Sequence, residues 1–265
     1  MRPKRLISLL VAVCMMITML PLSAVTAFAA DTSTVHEAKD GEGIYRYAYK
    51  ENEDGETVTI TEFLGPVDPA NNGPYDIEIP TELDHHPVTG LGEYSFSGTY
   101  SPDHQTNHNL ISFCNQIQSV TIPESVTSIG KSAFEHCSKL DSLTIKGVAT
   151  SIGAYAFASC TSLTSLSLVG NFQTIGEQAF AYCGMTSLTT DADITSIGEY
   201  AFSHCTSLTS LSLTGSVQTI GYQAFACCTS LTSLSLTGDI QKIGDYAFGY
   251  CSSLYTATLS KNLTS

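Results

Sequence analysis

The chain has 265 residues and carries 11 Lys and Arg against 25 Asp and Glu, a formal net charge of −14 at pH 7. A balance this acidic repels phosphate backbones and anionic lipid heads, so nucleic acid and direct membrane binding are disfavoured. No Lys or Arg occurs from Gly147 to Gln241, where Ser and Thr supply the polar surface instead.

Residues 1–29 read as a secretory signal peptide. Arg2, Lys4 and Arg5 give a basic start, and Leu6 to Leu22 is apolar except for Ser8, Thr18 and Pro21. Ala27-Phe28-Ala29 then supplies a small-x-small cleavage site. No second apolar span comes after it, so no membrane insertion is expected after cleavage. Val13 stands where a lipoprotein site ahead of Cys14 needs a small residue, so no lipid anchor is expected either. The predicted location is secreted or on the cell surface.

Residues 30–90 read as an N-terminal β-hairpin cap and the segment leading out of it. Tyr45, Tyr47 and Tyr49 alternate ahead of Glu53-Asp54-Gly55, and Val58, Ile60 and Phe63 lie beyond it. An Asp-Gly turn between alternating runs predicts a hairpin. Asp76 to Pro80 alternates again, as a further strand. Fifteen of the 25 acids lie between Asp31 and Glu93. They read as the solubilising face of a cap that covers the open apolar end of the C-terminal segment. No spaced loop of acids with a turn glycine marks a calcium site. His85 and His86 read as a turn pair.

From residue 91 the chain repeats. Ile129-Gly130 opens a frame, I-G-x-x-A-F-x-x-C-x-x-L-x-x-L-x-L, that restarts at Ile152, Ile175, Ile197, Ile220 and Ile243. A fixed period of this length marks a solenoid. Leu91-Gly92-Glu93-Tyr94-Ser95-Phe96 opens the same frame, but residues 97–113 intervene before Cys114. Residues 91–265 therefore hold seven coils, the first with an insertion. That insertion, with Tyr100, Pro102, Asp103, His104 and His108, is polar. Two histidines with no third ligand in view do not make a zinc site.

Within a coil, Leu211 and Leu213 alternate with hydroxyl residues, which predicts a strand with one buried face. The glycine of Ile-Gly predicts a positive φ or a close backbone approach. Ala201, Phe202 and Cys205 are expected on the inward face of a short helical turn. The predicted fold class is a β-rich repeat solenoid of 23-residue coils. It has parallel strands on a concave face, short helical turns on the other side and an N-terminal β cap.

Cys114, Cys137, Cys160, Cys183, Cys205, Cys228 and Cys251 occupy one frame position. Bridging between adjacent coils is sterically conceivable, but an unpaired ladder of buried thiols acting as small hydrophobes is expected. Cys227 is expected outward, in a column with His204 and Tyr250, without the third group a nucleophile pair requires. The fourth coil has lost a residue: Met185 takes a Leu position, Thr190 replaces an inward Leu, and Asp191 and Asp193 add charge. Leu263-Thr264-Ser265 stops where the next Ile-Gly is due. An exposed apolar end coil is expected, belonging either to a fragment of a longer array or to a chain that pairs end to end.

This frame, with its A-F-x-x-C core and I-G turn, resembles the BspA-like leucine-rich repeats from about Tyr45 onward. The family occurs in surface proteins of anaerobic bacteria and some protozoa. The resemblance implies adhesion through an extracellular protein or glycan ligand. In such a solenoid the strands line the face where partners dock. The candidate binding residues are therefore the outward strand hydroxyls: Ser142, Ser165, Ser187, Ser210 and Ser233 in one column, and Thr144, Ser167, Thr189, Ser212 and Ser235 in the next. The sequence holds no G-x-S-x-G, H-E-x-x-H or phosphate loop, so neither an enzyme nor a cofactor is expected. The alternative is a spacer attached to a functional domain downstream.

Overall fold

The structure is a computed structural model that describes residues 35–98, 113–261 and 263. The predicted signal peptide and the body of the insertion, with Tyr100, Pro102, Asp103, His104 and His108, lie outside the described residues.

The cap begins as an antiparallel sheet of β1 (His36–Lys39), β2 (Tyr45–Glu51) and β3 (Val58–Pro66). The β2–β3 turn is built by Asp54, whose carboxylate accepts the Glu56 and Thr57 N–H groups at 2.9 Å each and the Thr57 hydroxyl at 2.7 Å. Those bonds, the Thr57 hydroxyl first, hold Asp54 below the usual carboxylate range. Gly55 supplies the left-handed residue there, with φ +66. Tyr45, Tyr47, Tyr49, Val58, Ile60 and Phe63 are all buried. The next strands, β4 (Tyr75–Glu78), β5 (Glu82–Leu83) and β6 (His86–Leu91), do not extend the hairpin alone. β4 pairs in parallel with β7 (Ile117–Ile122), and β6 pairs in parallel with both β3 and β8 (Ser128–Ile129). The cap thus feeds both strand layers of the coils, and its own backbone satisfies their first edge.

Each coil contains two strand segments and one turn segment. The first strand carries the Leu alternation. It comprises β7, the starts of β9 (Ser142–Ile152) and β10 (Ser165–Ile175), then β11 (Ser187–Thr190), β13 (Ser210–Leu213), β15 (Ser233–Leu236) and β17 (Thr256–Leu259). The second strand leads into Ile-Gly: β8, the ends of β9 and β10, then β12 (Asp193–Ile197), β14 (Val217–Ile220) and β16 (Lys242–Ile243). Neighbours pair in parallel, for example Leu211 with Leu234 and Ile197 with Ile220, except β10 and β11. The second strand goes beyond the sequence reading, which assigned one strand to each coil.

The turn segment also differs from expectation. Among the described residues, helical backbone is confined to Phe113 and Cys114. The segment Gly130 to Cys137 is instead a run of reverse turns, with N–H of Ala133, Glu135 and Cys137 donating to the carbonyls of Gly130, Ser132 and Phe134. The alternate N–H groups, of Ser132, Phe134 and His136, donate to Ala154, Ala156 and Ala158 of the next coil at 2.9, 2.7 and 2.9 Å. A helix would direct every N–H back along its own coil. Alternating turns leave half of them free to bond across, so the turn side becomes a hydrogen-bonded ladder like the strand sides.

The glycine after each Ile is required for close approach, not for left-handed backbone. A Cβ at Gly198 would sit 2.8 Å from the Gly176 carbonyl carbon of the preceding coil. The left-handed residues come two positions later, as at Tyr200 (φ 55), and again just before Cys, as at His204 (φ 57).

Inside, Phe96, Phe134, Phe157, Phe180, Phe202, Phe225 and Phe248 form one continuous stack. Neighbouring centroids are 4.5 to 5.4 Å apart. Phe63 of the cap extends the stack, 5.4 Å from Phe96 and tilted by 18°. Beside it runs the cysteine column. The thiols of Cys160, Cys183, Cys205, Cys228 and Cys251 donate to the carbonyls of Phe134, Phe157, Phe180, Phe202 and Phe225 at 3.2 to 3.4 Å. Burial pushes the Cys183 and Cys205 thiols well above their ordinary pKa.

The expected unpaired ladder needs one correction, because Cys114 and Cys137 form a disulfide with Cα atoms 4.9 Å apart. That separation lies within bonding range for adjacent coils. Cys114 is the first of the column, follows the insertion and is entered through the helical fragment rather than the usual run of turns. The other six cysteines among the described residues are free.

Candidate binding faces

The first-strand face holds all ten predicted hydroxyls on outward positions, in register. Ser142 pairs with Ser165, Ser187 with Ser210, and Ser210 with Ser233. In the second column Thr144 pairs with Ser167, Thr189 with Ser212, and Ser212 with Ser235. Ser165, Ser167, Ser187 and Thr189 are exposed, and the other six are half-buried between their neighbours. The inward partners Leu143, Leu188, Leu211 and Leu234 are buried, so the period of two alone fixes which side the hydroxyls take.

Two features of this face escaped the sequence reading. The columns do not start with hydroxyls. Asp76 pairs with Ser119 and Glu78 with Thr121, so cap strand β4 places a carboxylate at the head of each column. The Ser119 hydroxyl donates to the Asp76 carboxylate. Pairing across forty residues could not be read from local alternation. Second, the face is split. No ladder joins β10 to β11: β11, β13, β15 and β17 form a separate four-stranded sheet.

Along the N-terminal ends of these strands runs an open groove of about 590 Å³ lined by Gln116, Gln118, Lys139, Asp141, Ser162 and Thr164. Lys139 Nζ donates to Gln116 Oε1 at 3.2 Å, and Gln118 Nε2 donates to Asp141 Oδ2 at 3.0 Å. These groups are set to exchange hydrogen bonds with a polar ligand, and they adjoin the Ser119–Ser142–Ser165 column.

The remaining singled-out residues separate. His85 (φ 68) sits in the turn between β5 and β6, and the His86 ring nitrogen Nδ1 lies 3.0 Å from the Asp84 carbonyl. Cys227 (φ 60) stands outward in the frame position shared by His204 and Tyr250. Among the described residues no group of three or more His, Cys, Asp or Glu is placed to hold a metal ion. None of their helices is long and apolar enough to cross a membrane.

The repeats match the model of the BspA type leucine rich repeat region in six copies, over residues 107–192 and 173–265. No curated protein matches the chain. Among solved structures, a leucine-rich repeat protein from Bacteroides ovatus is 26% identical with a TM-score of 0.61. The match covers 82% of this chain and 52% of that one, so the chain spans about half that protein's length. The Treponema pallidum leucine rich repeat protein is 23% identical with a TM-score of 0.62, over 82% of this chain and 91% of that one. With the frame, the paired coils and the family model in agreement, the chain belongs to the BspA-type leucine-rich repeat family.

Proposed function

We propose that this is a non-catalytic binding protein, secreted or held at the cell surface, that takes an extracellular protein or glycan on its first-strand face. The observation that carries the reading is the pair of in-register hydroxyl columns. Each hydroxyl offers one donor and two acceptors, so the face is a regular hydrogen-bonding grid. It lacks the aromatic and Arg anchors of tight interfaces. Affinity must therefore come from many weak contacts along an extended ligand, which suits a glycan chain or an extended peptide. Membership of a repeat family found in surface proteins supports the location.

The test is a screen of the protein against extracellular-matrix proteins and a glycan array, beside the double variant Ser165→Arg/Ser210→Arg. Those two positions lie one on each sheet of the split face. Saturable binding that the variant loses with its fold intact is the expected result. Binding that survives both arginines would remove the site from this face. Silence across both panels from a folded protein would favour a spacer whose function lies in another part of a longer chain.

A further inference from the structure

The opposite side of the coils, built from reverse turns, carries a second surface with different chemistry. Tyr246 and Tyr250 are 66% and 74% exposed, Tyr182 is half exposed, and Tyr222 and His204 are also exposed. The rings are organised. Tyr182 stacks on His204 at 4.6 Å and 8°, while Tyr222 meets Tyr200 and Tyr246 edge-on at 5.5 and 6.3 Å. Glu199, Tyr222 and Asp245 occupy the same frame position in successive coils, so carboxylates alternate with a ring down one column. Both carboxylates are exposed.

Folding does not account for these rings. Tyr182, Tyr200, Tyr246 and Tyr250 hold left-handed backbone, with φ between 54 and 60. Bulky L residues are disfavoured there, and Gly or Asn would fit at lower cost. An exposed ring returns little burial for that strain. Aromatic residues clustered on a surface are instead typical of interaction sites.

The charge defines the partner. From Gly147 to Gln241 there are five carboxylates and no Lys or Arg, so no cation of these coils competes for the rings. The next basic residue, Lys242, lies on strand β16 and not on the turns. We propose that the turn face around Tyr222, Tyr246 and Tyr250, with Glu199 and Asp245, binds an Arg- and Lys-rich segment of a partner polypeptide. A guanidinium lies flat on a tyrosine ring and is held by its quadrupole, while the neighbouring carboxylate takes the remaining N–H groups. Rings and carboxylates recurring coil by coil match cations recurring along an extended chain. This site is separate from the hydroxyl face, and either can fail without the other.

The test uses the full chain and a fluorescein-labelled ten-residue oligoarginine, with affinity read by fluorescence anisotropy at physiological salt. The triple variant Tyr222→Leu/Tyr246→Leu/Tyr250→Leu keeps net charge and apolar area but removes the π faces. At about 2- to 5-fold per exposed ring, it should weaken binding by at least about tenfold. Glu199→Gln/Asp245→Asn should weaken it and flatten its salt dependence. The cap pair Glu42→Gln/Glu53→Gln, exposed and with the same change in charge, should leave affinity within about twofold. The proposal is overturned if the peptide does not bind, if the triple variant binds within about twofold of the parent, or if the cap pair costs as much as Glu199→Gln/Asp245→Asn. In that last case only net charge is being sensed. Thermal melting checks each variant's fold, and Tyr250→Leu alone, at the most exposed of the three positions, should still show about 2- to 5-fold weakening.

Discussion

Replacing Phe202 by Ala tests the central packing claim. The ring is fully buried between Phe180 at 5.1 Å and Phe225 at 5.0 Å, with planes within 7° of each. Truncation removes the transfer free energy of the ring and leaves a cavity in the middle of the stack, at a cost of about 3–5 kcal/mol. The two ring contacts are worth about 0.5–1.5 kcal/mol each beyond burial, and that part is what Phe202→Leu should lose while keeping most of the volume. In a solenoid each coil touches only its neighbours, so the damage should be local. Hydrogen exchange is therefore the informative assay, alongside denaturant unfolding. The inter-coil amides of Phe180, Phe202 and His204, which bond to Ala201, Ala224 and Ala226, should lose protection first. Those of Ser132 and Phe134 should change little. A small shift in stability, or a uniform rise in exchange along the chain, would refute the stacked-core account.

Other expectations rest on the same geometry. Gly198→Ala drives a Cβ against preceding-coil backbone that has no side chain to move aside, and should cost about 1–3 kcal/mol in denaturant unfolding. In thiol labelling of the native protein, half-buried Cys227 and Cys251 should react first among the described cysteines, with Cys160, Cys183, Cys205 and Cys228 reacting only on unfolding. Cys114 and Cys137 should stay silent until reduced, and rapid labelling at Cys183 would contradict the closed column. Burial raises the pKa of Cys183 and Cys205, so above the unfolded thiol value of about 8.5 the unfolded state sheds protons that the folded state keeps. Stability is then fully present below that pH and should fall above it, by up to about 1.4 kcal/mol per pH unit for each thiol. A second fall should begin above about pH 10, where Tyr47, raised by burial, and Tyr49, pushed up to about 12 by burial and its 2.8 Å bond to Asp84, hold their protons. Tyr47→Phe should flatten that second fall, and an unfolding free energy constant from pH 7 to 11 would count against both buried sets.

The features legible in the sequence were those the period enforces. Coils of equal length must stack in register, so the inward places of Phe202, Cys205 and Leu211 come from the frame, and so do the outward hydroxyls. The Asp54-Gly55 turn was legible because its chemistry is local. The second strand was not, because its inward column changes spacing and character. Thr150, Phe172, Ile194 and Val217 fill it, and Thr150 enters the apolar interior by donating its hydroxyl to the Val126 carbonyl at 3.1 Å. The turn segment was ambiguous for a different reason. Ala201, Phe202 and Cys205 fall at spacings that a helix or successive turns can both point inward, and the deciding hydrogen bonds go to another coil. On the candidate faces, Asp76 and Glu78 join the hydroxyl columns through a non-local pairing. The exposed tyrosines recur in the frame, Tyr246 at the position of Tyr94, Tyr155 and Tyr200, and Tyr250 at that of Tyr182, but the face they share depends on the inter-coil turn ladder.

The shortened fourth coil shows how this architecture confines a defect. The residue lost between Cys183 and Met185 leaves the Phe stack intact, at 5.2 Å from Phe157 to Phe180 and 5.1 Å from Phe180 to Phe202. Met185 is fully buried where a Leu is usual. The tighter turn is open only to glycine, since a Cβ on Gly184 would fall 2.3 Å from the Thr161 carbonyl oxygen. The displacement therefore emerges on the first-strand side, where β10 and β11 lose their backbone ladder. Thr190 partly replaces it, donating its hydroxyl to the Leu168 carbonyl at 3.3 Å and accepting the Ala192 N–H at 3.0 Å. An apolar Leu there could do neither, so the exchange of an inward Leu for Thr compensates for the deletion. The core and the turn ladder stay continuous while the hydroxyl grid is divided between Ser165 and Ser187. A ligand spanning the whole grid must tolerate that step, whereas one confined to Ser187, Ser210 and Ser233 meets unbroken register. Single Ser165→Arg and Ser210→Arg variants would separate the two cases: a spanning ligand should be weakened by both, and a confined one by Ser210→Arg alone.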